Sequence, residues 1–268
     1  KWILNYNTIE KTLAIYGQTK ELTTPSGFKV TIREQNGNDD DIISNANDAK
    51  DLTNLDKFIS SLIIKTDLPY AINNRIPLKD MGKMLLRDKY FIIFASRIHS
   101  ISKDMDFTFQ WDNEHEPVHY NENLEIFIWD YSKEFPSKPE DEGYYKHKIL
   151  PYPKDAHDKI EHVLTSGKNI RFELLKNKGE KYLMKLDSIT RNSAFKARYL
   201  EQKIDNDWVT VENFSQFTKK DMSEISKLIK DIDPDFTGIT VLENPDNPGE
   251  EINFPIMKTE SFFYPEEI

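Results

Sequence analysis

Residues 25–34 read PSGFKVTIRE, and residues 165–174, about 140 positions later, read TSGKNIRFEL. In both stretches a Ser-Gly pair precedes alternating apolar residues, Val30 and Ile32 in the first and Ile170 and Phe172 in the second. Alternation with a period of two predicts a half-buried β-strand, and a glycine just before it suits a turn. The two stretches therefore predict equivalent strands in two similar parts of the chain.

Further landmarks recur in the same order after each predicted strand. The triplet Lys-Asp-Met occurs at residues 79–81 and again at 220–222, and each copy opens an amphipathic pattern that predicts a helix, over residues 80–100 and 220–231. A strand, a polar turn and a second strand follow: FTFQW, DNEHE and PVHY in the first part, and GITVL, ENPDNPG and EEINFPI in the second. We therefore predict an α+β fold of two tandem similar halves, each with short strands, helices and a terminal β-hairpin.

This repeat predicts four segments along the 268 residues, a length sufficient for two cores. Residues 1–20 form a leading segment, residues 21–131 the first half and residues 159–268 the second half. Residues 132–158 lie between the halves and contain Pro136, Pro139, Pro151 and Pro153 among acidic residues. Such a composition predicts a partly extended linker.

Composition and charge disfavour several classes of function. The net charge is −10, and Lys and Arg are scattered among the acids, so the chain lacks the basic stripe that neutralises phosphates, and we expect no nucleic-acid partner. No stretch of about 18 apolar residues is present, so we expect no membrane partner. Because the chain has no cysteine, it can form neither disulfides nor thiolate metal sites.

The stretch His115-Glu116-Pro117-Val118-His119 matches the pattern H-E-x-x-H of zinc proteases. That pattern binds zinc only on a helix, where the two histidines share one face. Proline costs about 3 kcal/mol in a helix interior, and the aromatic and β-branched residues of 107–111 favour a strand. We therefore predict a polar hairpin loop without metal or cofactor, and a zinc metalloprotease remains a remote alternative.

Two other patterns resemble ligand sites only in composition. Residues 36–41, NGNDDD, contain the acids of a calcium loop but not its order or its closing glutamate, so they are predicted to cap the following helix. The chain also lacks the G-x-S-x-G motif and a glycine-rich phosphate loop, with nine glycines in all. These features predict that the protein is not an enzyme.

Several of these stretches carry a resemblance to a known family. They are TPSGFKVTIREQNGNDDDIISN at residues 24–45, RDKYFIIFASRIHSI at 87–101 followed by FTFQWDNE, and ESFFYP at 260–265. Together they resemble the baseplate hub and tail-assembly proteins of contractile-tailed bacteriophages of the T-even-like kind. The resemblance implies a structural or assembly protein of the virion, in the tail baseplate, that is assembled in the host cytoplasm. Its implied partners are other baseplate and hub subunits in a large hetero-oligomer.

The resemblance leaves two questions open. Related proteins often carry a Cys-x-x-Cys zinc knuckle at the hairpin, whereas this chain has Trp111, Asp112 and Glu114 there. The hairpins are therefore expected to be degenerate zinc ribbons, held by strand pairing and packing without cysteine or zinc. A transient tail-assembly chaperone that is absent from the virion is the alternative function, because both would have similar sequences.

An assembly protein needs exposed aromatic side chains to bind its partners. The C-terminal run Phe262-Phe263-Tyr264-Pro265 is predicted to be such an anchor, because three successive aromatics cannot all enter one core from a strand. The competing interpretation is that this tail folds back onto its own second domain. Further partner-binding candidates lie in residues 124–131, where burial in the core is the stronger alternative: Trp129 and Tyr131.

Overall fold

The computed structural model describes residues 17–112, 115–136 and 146–264. The fold is mixed, with small antiparallel sheets and several helices. This agrees with the predicted α+β class. The predicted leading segment lies outside the described residues up to position 16, as does Pro265.

The first part of the chain begins with a three-stranded antiparallel sheet in the order β1-β2-β3, and three helices connect β2 to β3. A 3₁₀ helix, a long helix and a β-hairpin follow, and the hairpin ends in a second 3₁₀ helix. The elements are β1 Thr19–Thr23, β2 Lys29–Arg33, α1 Gly37–Ile43, α2 Ala46–Ala49, α3 Thr53–Leu62, β3 Ile63–Thr66, 3₁₀ Leu78–Lys83, α4 Leu86–Ser100, β4 Asp104–Phe109, β5 Val118–Asn123 and 3₁₀ Leu124–Phe127.

The second part begins with a four-stranded antiparallel sheet in the order β6-β7-β8-β9, and two helices connect β7 to β8. A long helix, a hairpin and two short terminal helices follow. The elements are β6 Ile160–Val163, β7 Asn169–Phe172, α5 Asn177–Met184, α6 Arg191–Ala197, β8 Glu201–Ile204, β9 Asp207–Thr210, α7 Lys219–Ile232, β10 Ile239–Glu243, β11 Glu251–Pro255, 3₁₀ Ile256–Lys258 and α8 Glu260–Phe263.

The turns that precede β2 and β7 have the same geometry. Gly27 and Gly167 have φ angles of 86° and 84°, in the left-handed region that favours glycine. The amide of Gly27 donates to the carbonyl of Thr24 at 2.8 Å, and the amide of Gly167 donates to that of Leu164 at 2.7 Å. The two Ser-Gly pairs therefore form matching turns, and the strands predicted at residues 30–32 and 170–172 are present.

Four of the eight α-helices in the described residues, α1, α2, α6 and α7, begin after a residue whose side chain caps the helix. Asn36 caps α1: its side chain accepts from the amide of Asn38, and Asp39 completes a capping box. This confirms the capping role predicted for the acidic run. Thr218 caps α7 in the same manner with Asp221, and α7 spans Lys219–Ile232, close to the predicted 220–231.

The helix predicted over residues 80–100 is wrong in its first turn. The chain forms the 3₁₀ helix Leu78–Lys83, becomes extended at Met84 and Leu85, and starts α4 at Leu86. Backbone hydrogen bonds to the second part cause this break: the amide of Leu86 donates to Leu175, and that of Asn177 donates to Met84. Asp80 therefore does not open the long helix. Tertiary pairing has overridden the local helical pattern.

The described residues form two large hydrophobic cores and one small cluster of Leu175, Leu183 and Ala197. The first contains apolar residues of the first part together with Leu242, Ile256 and Phe262. The second contains apolar residues of the second part together with Leu85. Each core therefore takes residues from both predicted halves. The described part of the predicted linker also contributes, with Ile149 in the first core and Tyr152 in the second.

The two terminal hairpins pack against each other in the first core. The rings of Phe107 in β4 and Phe254 in β11 stack with centroids 4.9 Å apart and an interplanar angle of 6°. The hydroxyl of Tyr120 accepts from Trp111 at 2.7 Å and donates to the carbonyl of Glu243 at 2.9 Å. Aromatic stacking and these hydrogen bonds hold the hairpins together.

Candidate functional site

The histidines of the protease-like pattern lie in a β-hairpin, as predicted, and not on a helix. His115 lies in the loop between β4 and β5, and His119 lies within β5 opposite Thr108. His115 contacts Asp112, whose hydrogen bond raises the pKa of the imidazole, and the Nε2 atom of His119 lies 3.2 Å from Asp106. Each histidine thus has its own carboxylate, and no group of three potential ligands occurs among the residues that the structure describes.

Phe262 and Phe263 lie on α8 and Tyr264 directly follows it, and the three residues have different environments. Phe262 is fully buried and meets Phe94 edge-on at 5.1 Å, while its carbonyl accepts from Arg97. Phe263 is partly buried and packs against the first core. Tyr264 is 37% exposed, and its hydroxyl donates to the carbonyl of Asp40 at 3.2 Å.

The predicted exposed anchor must therefore be corrected for Phe262. The chain places this residue in its own first core, because the tail forms a short helix that turns one ring inward, whereas the prediction assumed a strand. The tail does fold back, although onto the first core and not onto a second-domain core. A partner-binding role for Tyr264 stays a prediction, and Pro265 lies outside the described residues.

The other two predicted anchors are half-buried. Tyr131 meets Phe91 edge-on at 5.1 Å and donates its hydroxyl proton to the carbonyl of Ile149. Burial raises the pKa of that phenol well above its usual range. Trp129 lies edge-on to Phe135, with the ammonium of Lys148 5.9 Å from its ring. These packing contacts favour the core role over the anchor role for both residues.

Buried charges join the two parts of the chain. Asp233, at the end of α7, accepts from the guanidinium of Arg198 at 3.1 Å and from the amide of Leu175 at 2.8 Å, and Arg87 lies 3.5 Å away. Arg87 also stacks on the ring of Tyr152, with its guanidinium carbon 3.7 Å from the centroid. Arg87, Arg198 and Asp233 are all nearly inaccessible to solvent. These ions connect α4 with the ends of α6 and α7, although the buried Nε atom of Arg87 has no hydrogen-bond partner among the described residues.

A second polar cluster lies between α3, α4 and α5. The ammonium of Lys89, which is completely buried, donates to Asn177 at 2.9 Å and to Glu180 at 2.5 Å. Asn177 donates to Asp56 at 2.7 Å, and Lys181 forms an ion pair with Asp56 at 2.7 Å. Burial and the neighbouring Glu180 raise the pKa of the Tyr90 phenol well above its usual range. The cluster is compensated internally and does not face any of the clefts described below.

Two titratable groups with shifted pKa values, the buried Asp88 and the half-buried His157, lie near the turn before β2. Burial raises the pKa of Asp88 to about 7, although the amide and hydroxyl of Ser26 donate to its carboxylate at 3.0 Å and 2.5 Å. Burial lowers the pKa of His157 to about 4. The imidazole of His157 packs edge-on against Phe28 at 5.2 Å, and its Nε2 atom has no hydrogen-bond partner among the described residues. Asp88 is fully buried and His157 is half-buried, so both pKa shifts bear on the stability of the fold.

The strongest surface feature is the region formed by α5, α6 and the loop between them, which we call the α5–α6 surface. Residues 176–198 contain seven basic and two acidic residues, whereas the whole chain has a net charge of −10. Large apolar side chains are also exposed here, and Ile189 is 65% exposed. The exposed aromatic, apolar and basic residues of this surface are Tyr182, Met184, Lys185, Ile189, Arg191 and Tyr199, and the acidic Asp187 is exposed beside them.

The helices α5 and α6 pack closely against each other in the α5–α6 surface. A side chain on Gly179 would lie 2.5 Å from the carbonyl oxygen of Ala197, so α5 can approach α6 only because this residue is glycine. The ammonium of Lys178 lies 3.8 Å from the ring centroid of Tyr199. Such a contact orders an aromatic side chain that is 42% exposed.

Two clefts flank α6 on this surface. One, of about 340 Å³, is lined by Tyr182 and Tyr199 with Leu200 and Val211. The other, of about 500 Å³, lies between α6 and α7 and is lined by residues of both helices. Concave apolar surface with polar residues at its edge is typical of protein-binding and peptide-binding sites.

Sequence reasoning did not identify this surface as a site. The signal was present, because the excess of Lys and Arg in residues 176–198 is visible in the sequence. The sequence alone, however, does not decide which of the apolar residues between them are buried. Only the structure shows that Tyr182, Met184 and Ile189 lie outside the core.

Comparison of the chain with protein-family models, with curated proteins and with solved structures gives no significant match. Within the described ranges, none of the helices combines the length and apolarity that a membrane crossing requires.

Proposed function

We propose that the chain is a structural or assembly protein of a bacteriophage tail baseplate hub, and that it acts through protein contacts and not through catalysis. The observation that carries this proposal is the α5–α6 surface, where exposed aromatic, apolar and basic side chains interrupt an otherwise acidic chain. Surfaces of this composition suit partner binding, because aromatic side chains and arginine dominate binding energies at interfaces. The motifs at residues 24–45, 87–101 and 260–265 support the choice of baseplate and virion.

We further propose that the chain arose by duplication and consists of two similar halves. Both parts follow the same order: a hairpin with a matching turn, helices, a strand antiparallel to the second, a long helix and a terminal hairpin. The third residue of the long helix is an aspartate in both parts, Asp88 and Asp221, and the hydroxyl of Ser26 in the first turn donates to Asp88. In this register Asp88, and not Asp80, is the counterpart of Asp221.

The terminal hairpins support the degenerate zinc-ribbon interpretation. A two-stranded hairpin is marginally stable alone, and a metal knuckle is one solution to that problem. Here the stacked rings of Phe107 and Phe254 and the bonds of Tyr120 connect one hairpin to the other. Mutual packing of two hairpins thus supplies what a metal site would otherwise contribute.

Quantitative mass spectrometry of purified virions tests the proposed function. We expect peptides of this chain in tails, at a constant ratio to the other baseplate proteins. If the peptides occur only in tail-assembly intermediates, the chain is the transient chaperone. Their absence from both fractions would contradict an assembly role of either kind.

The remote protease alternative has its own test. Purified protein is incubated with a denatured casein substrate with and without added zinc, next to the variant His115→Ala. We expect no cleavage and no stoichiometric zinc, because His115 and His119 bind separate carboxylates in a hairpin. Zinc-dependent cleavage that is lost in the variant would show that the protein is a zinc protease.

A further inference from the structure

We propose that the cleft between α6 and α7 binds an acidic segment of a partner protein that inserts an apolar side chain. The proposal rests on the proposed function and specifies the partner chemistry of the α5–α6 surface. The cleft has a volume of about 500 Å³ and combines an apolar floor with a basic edge.

The floor of the cleft is apolar. Phe195 on α6 and Ile229 on α7 are both nearly buried and belong to the second core, and Ala194 lies beside them. An alanine at this position leaves room for a side chain from outside. A cavity of this size can take one or two large apolar side chains, each of which contributes roughly 1.5 to 3 kcal/mol when it is fully buried.

The edge of the cleft is basic. Arg191, the first residue of α6, and Lys230, near the end of α7, are both exposed and line the opening. No carboxylate within the described ranges forms an ion pair with either residue. By contrast, Arg198, which lies deeper in the cleft, already forms an ion pair with Asp233. Two cations are thus available at the opening for carboxylates of a partner.

Charge complementarity favours an acidic protein segment over an anionic membrane. The opening also carries Asp235, which is 79% exposed and lies 3.5 Å from Arg198. A partner peptide can avoid this carboxylate by its sequence, whereas a continuous anionic lipid surface cannot. The cleft is concave, which suits an inserted side chain, whereas binding to a membrane interface needs a protruding apolar face.

The test uses a fluorescein-labelled 12-residue peptide of glutamate, leucine and phenylalanine, and a second peptide in which glutamine replaces every glutamate. Binding to the full chain is measured by fluorescence anisotropy at low and high salt. We expect the acidic peptide to bind more tightly than the glutamine peptide by about tenfold, with a difference that shrinks as salt rises.

Two variants and one matched control locate the site. The double variant Arg191→Glu/Lys230→Glu reverses the charge at the edge of the cleft. The variant Ala194→Phe fills the apolar floor of the cleft with a larger side chain. The control Lys65→Glu/Lys103→Glu makes the same change in charge at exposed lysines that line neither cleft of the α5–α6 surface. We expect the first two variants to lose about tenfold in affinity and the control to lose less than about threefold. Thermal unfolding of each variant verifies that the fold is intact.

Equal loss in the control and in Arg191→Glu/Lys230→Glu would overturn the proposal, because it would show attraction by net charge alone. Absence of peptide binding together with sedimentation on phosphatidylglycerol vesicles, abolished by the same double variant, would assign the cleft to a membrane and also overturn it. If the peptide does not bind but the chain is present in purified tails, the cleft proposal fails and the proposed function stands. If the peptide binds but the chain is absent from tails and intermediates, the proposed function is contradicted and the proposal for the cleft is supported.

Discussion

The carboxylate of Asp88 accepts hydrogen bonds from both the amide and the hydroxyl of Ser26, at 3.0 Å and 2.5 Å, across 62 positions of sequence. The corresponding Asp221 accepts hydrogen bonds from the amide of Thr218 at 2.9 Å and from the ammonium of Lys168 at 2.8 Å. Lys168 lowers the pKa of Asp221 well below its usual range, whereas burial without such a partner raises that of Asp88. Similar placements thus have opposite electrostatic consequences.

The first prediction concerns the variant Asp88→Asn. In the folded protein Asp88 keeps its proton up to about pH 7, whereas in the unfolded chain it loses the proton near its usual pKa of 3.8. The contribution of the protonated carboxyl to the free energy of unfolding is therefore present below about pH 4 and is lost as the pH rises to 7. Urea unfolding between pH 4 and 8 should show the variant gaining about 1 to 3 kcal/mol relative to wild type over this range.

Asp221→Asn is the matched control, with the opposite sign. Because the folded pKa of Asp221 is lowered, its stabilising contribution is present above about pH 4 and is lost as the pH falls below that value. We expect Asp221→Asn to cost about 1 to 3 kcal/mol at pH 7 and less near pH 2. Parallel pH profiles for the two variants would contradict the assigned environments.

The variant His157→Phe should remove a second contribution to the pH dependence of stability. Burial keeps the imidazole neutral in the fold, with a pKa of about 4 against 6.5 in the unfolded chain. Its contribution is therefore present above pH 6.5 and is lost as the pH falls towards 4. Wild type should lose roughly 1 to 2 kcal/mol relative to the variant over this range, measured by urea unfolding. A constant difference between the two proteins would show that His157 does not titrate there.

Much of the fold was predictable because its signals are local. The alternation at residues 30–32 and 170–172, the cap at Asn36 and the hairpin around Pro117 depend on neighbouring residues, and the structure agrees with each. The start of α4 was not predictable, because the strand-like pairing of Leu85 with Lys176 joins positions far apart in sequence. The binding surface was missed for a related reason. Which side of α5 faces the core depends on α6, and the sequence does not specify that arrangement.

The tail provides a prediction on stability. Phe262 is fully buried against Phe94, so Phe262→Ala should cost about 3 to 5 kcal/mol of unfolding free energy. The control Tyr264→Ala changes a partly exposed ring two positions later and should cost less than about 1 kcal/mol. Chemical unfolding of both variants measures this difference. Similar costs would mean that α8 does not occupy the first core as described.

The ions at the end of α7 provide another matched pair. Asp233 is buried between Arg87 and Arg198, so Asp233→Ala leaves two buried cations without their carboxylate and should cost about 3 to 5 kcal/mol. Asp235, two residues later, is mostly exposed, and Asp235→Ala should cost less than about 1 kcal/mol. The midpoint of thermal unfolding of each variant measures the two effects. A small effect of Asp233→Ala would show that the network does not hold the two parts together.

Cross-linking mass spectrometry of purified contractile tails, with a lysine-reactive reagent, tests most directly the claim that this chain acts by binding partners through the α5–α6 surface. The account predicts that Lys178, Lys185 and Lys196 form cross-links to other baseplate subunits, while the exposed Lys65 and Lys103 form few or none. Cross-links to other subunits from Lys65 and Lys103, with none from the three lysines of the α5–α6 surface, would contradict it.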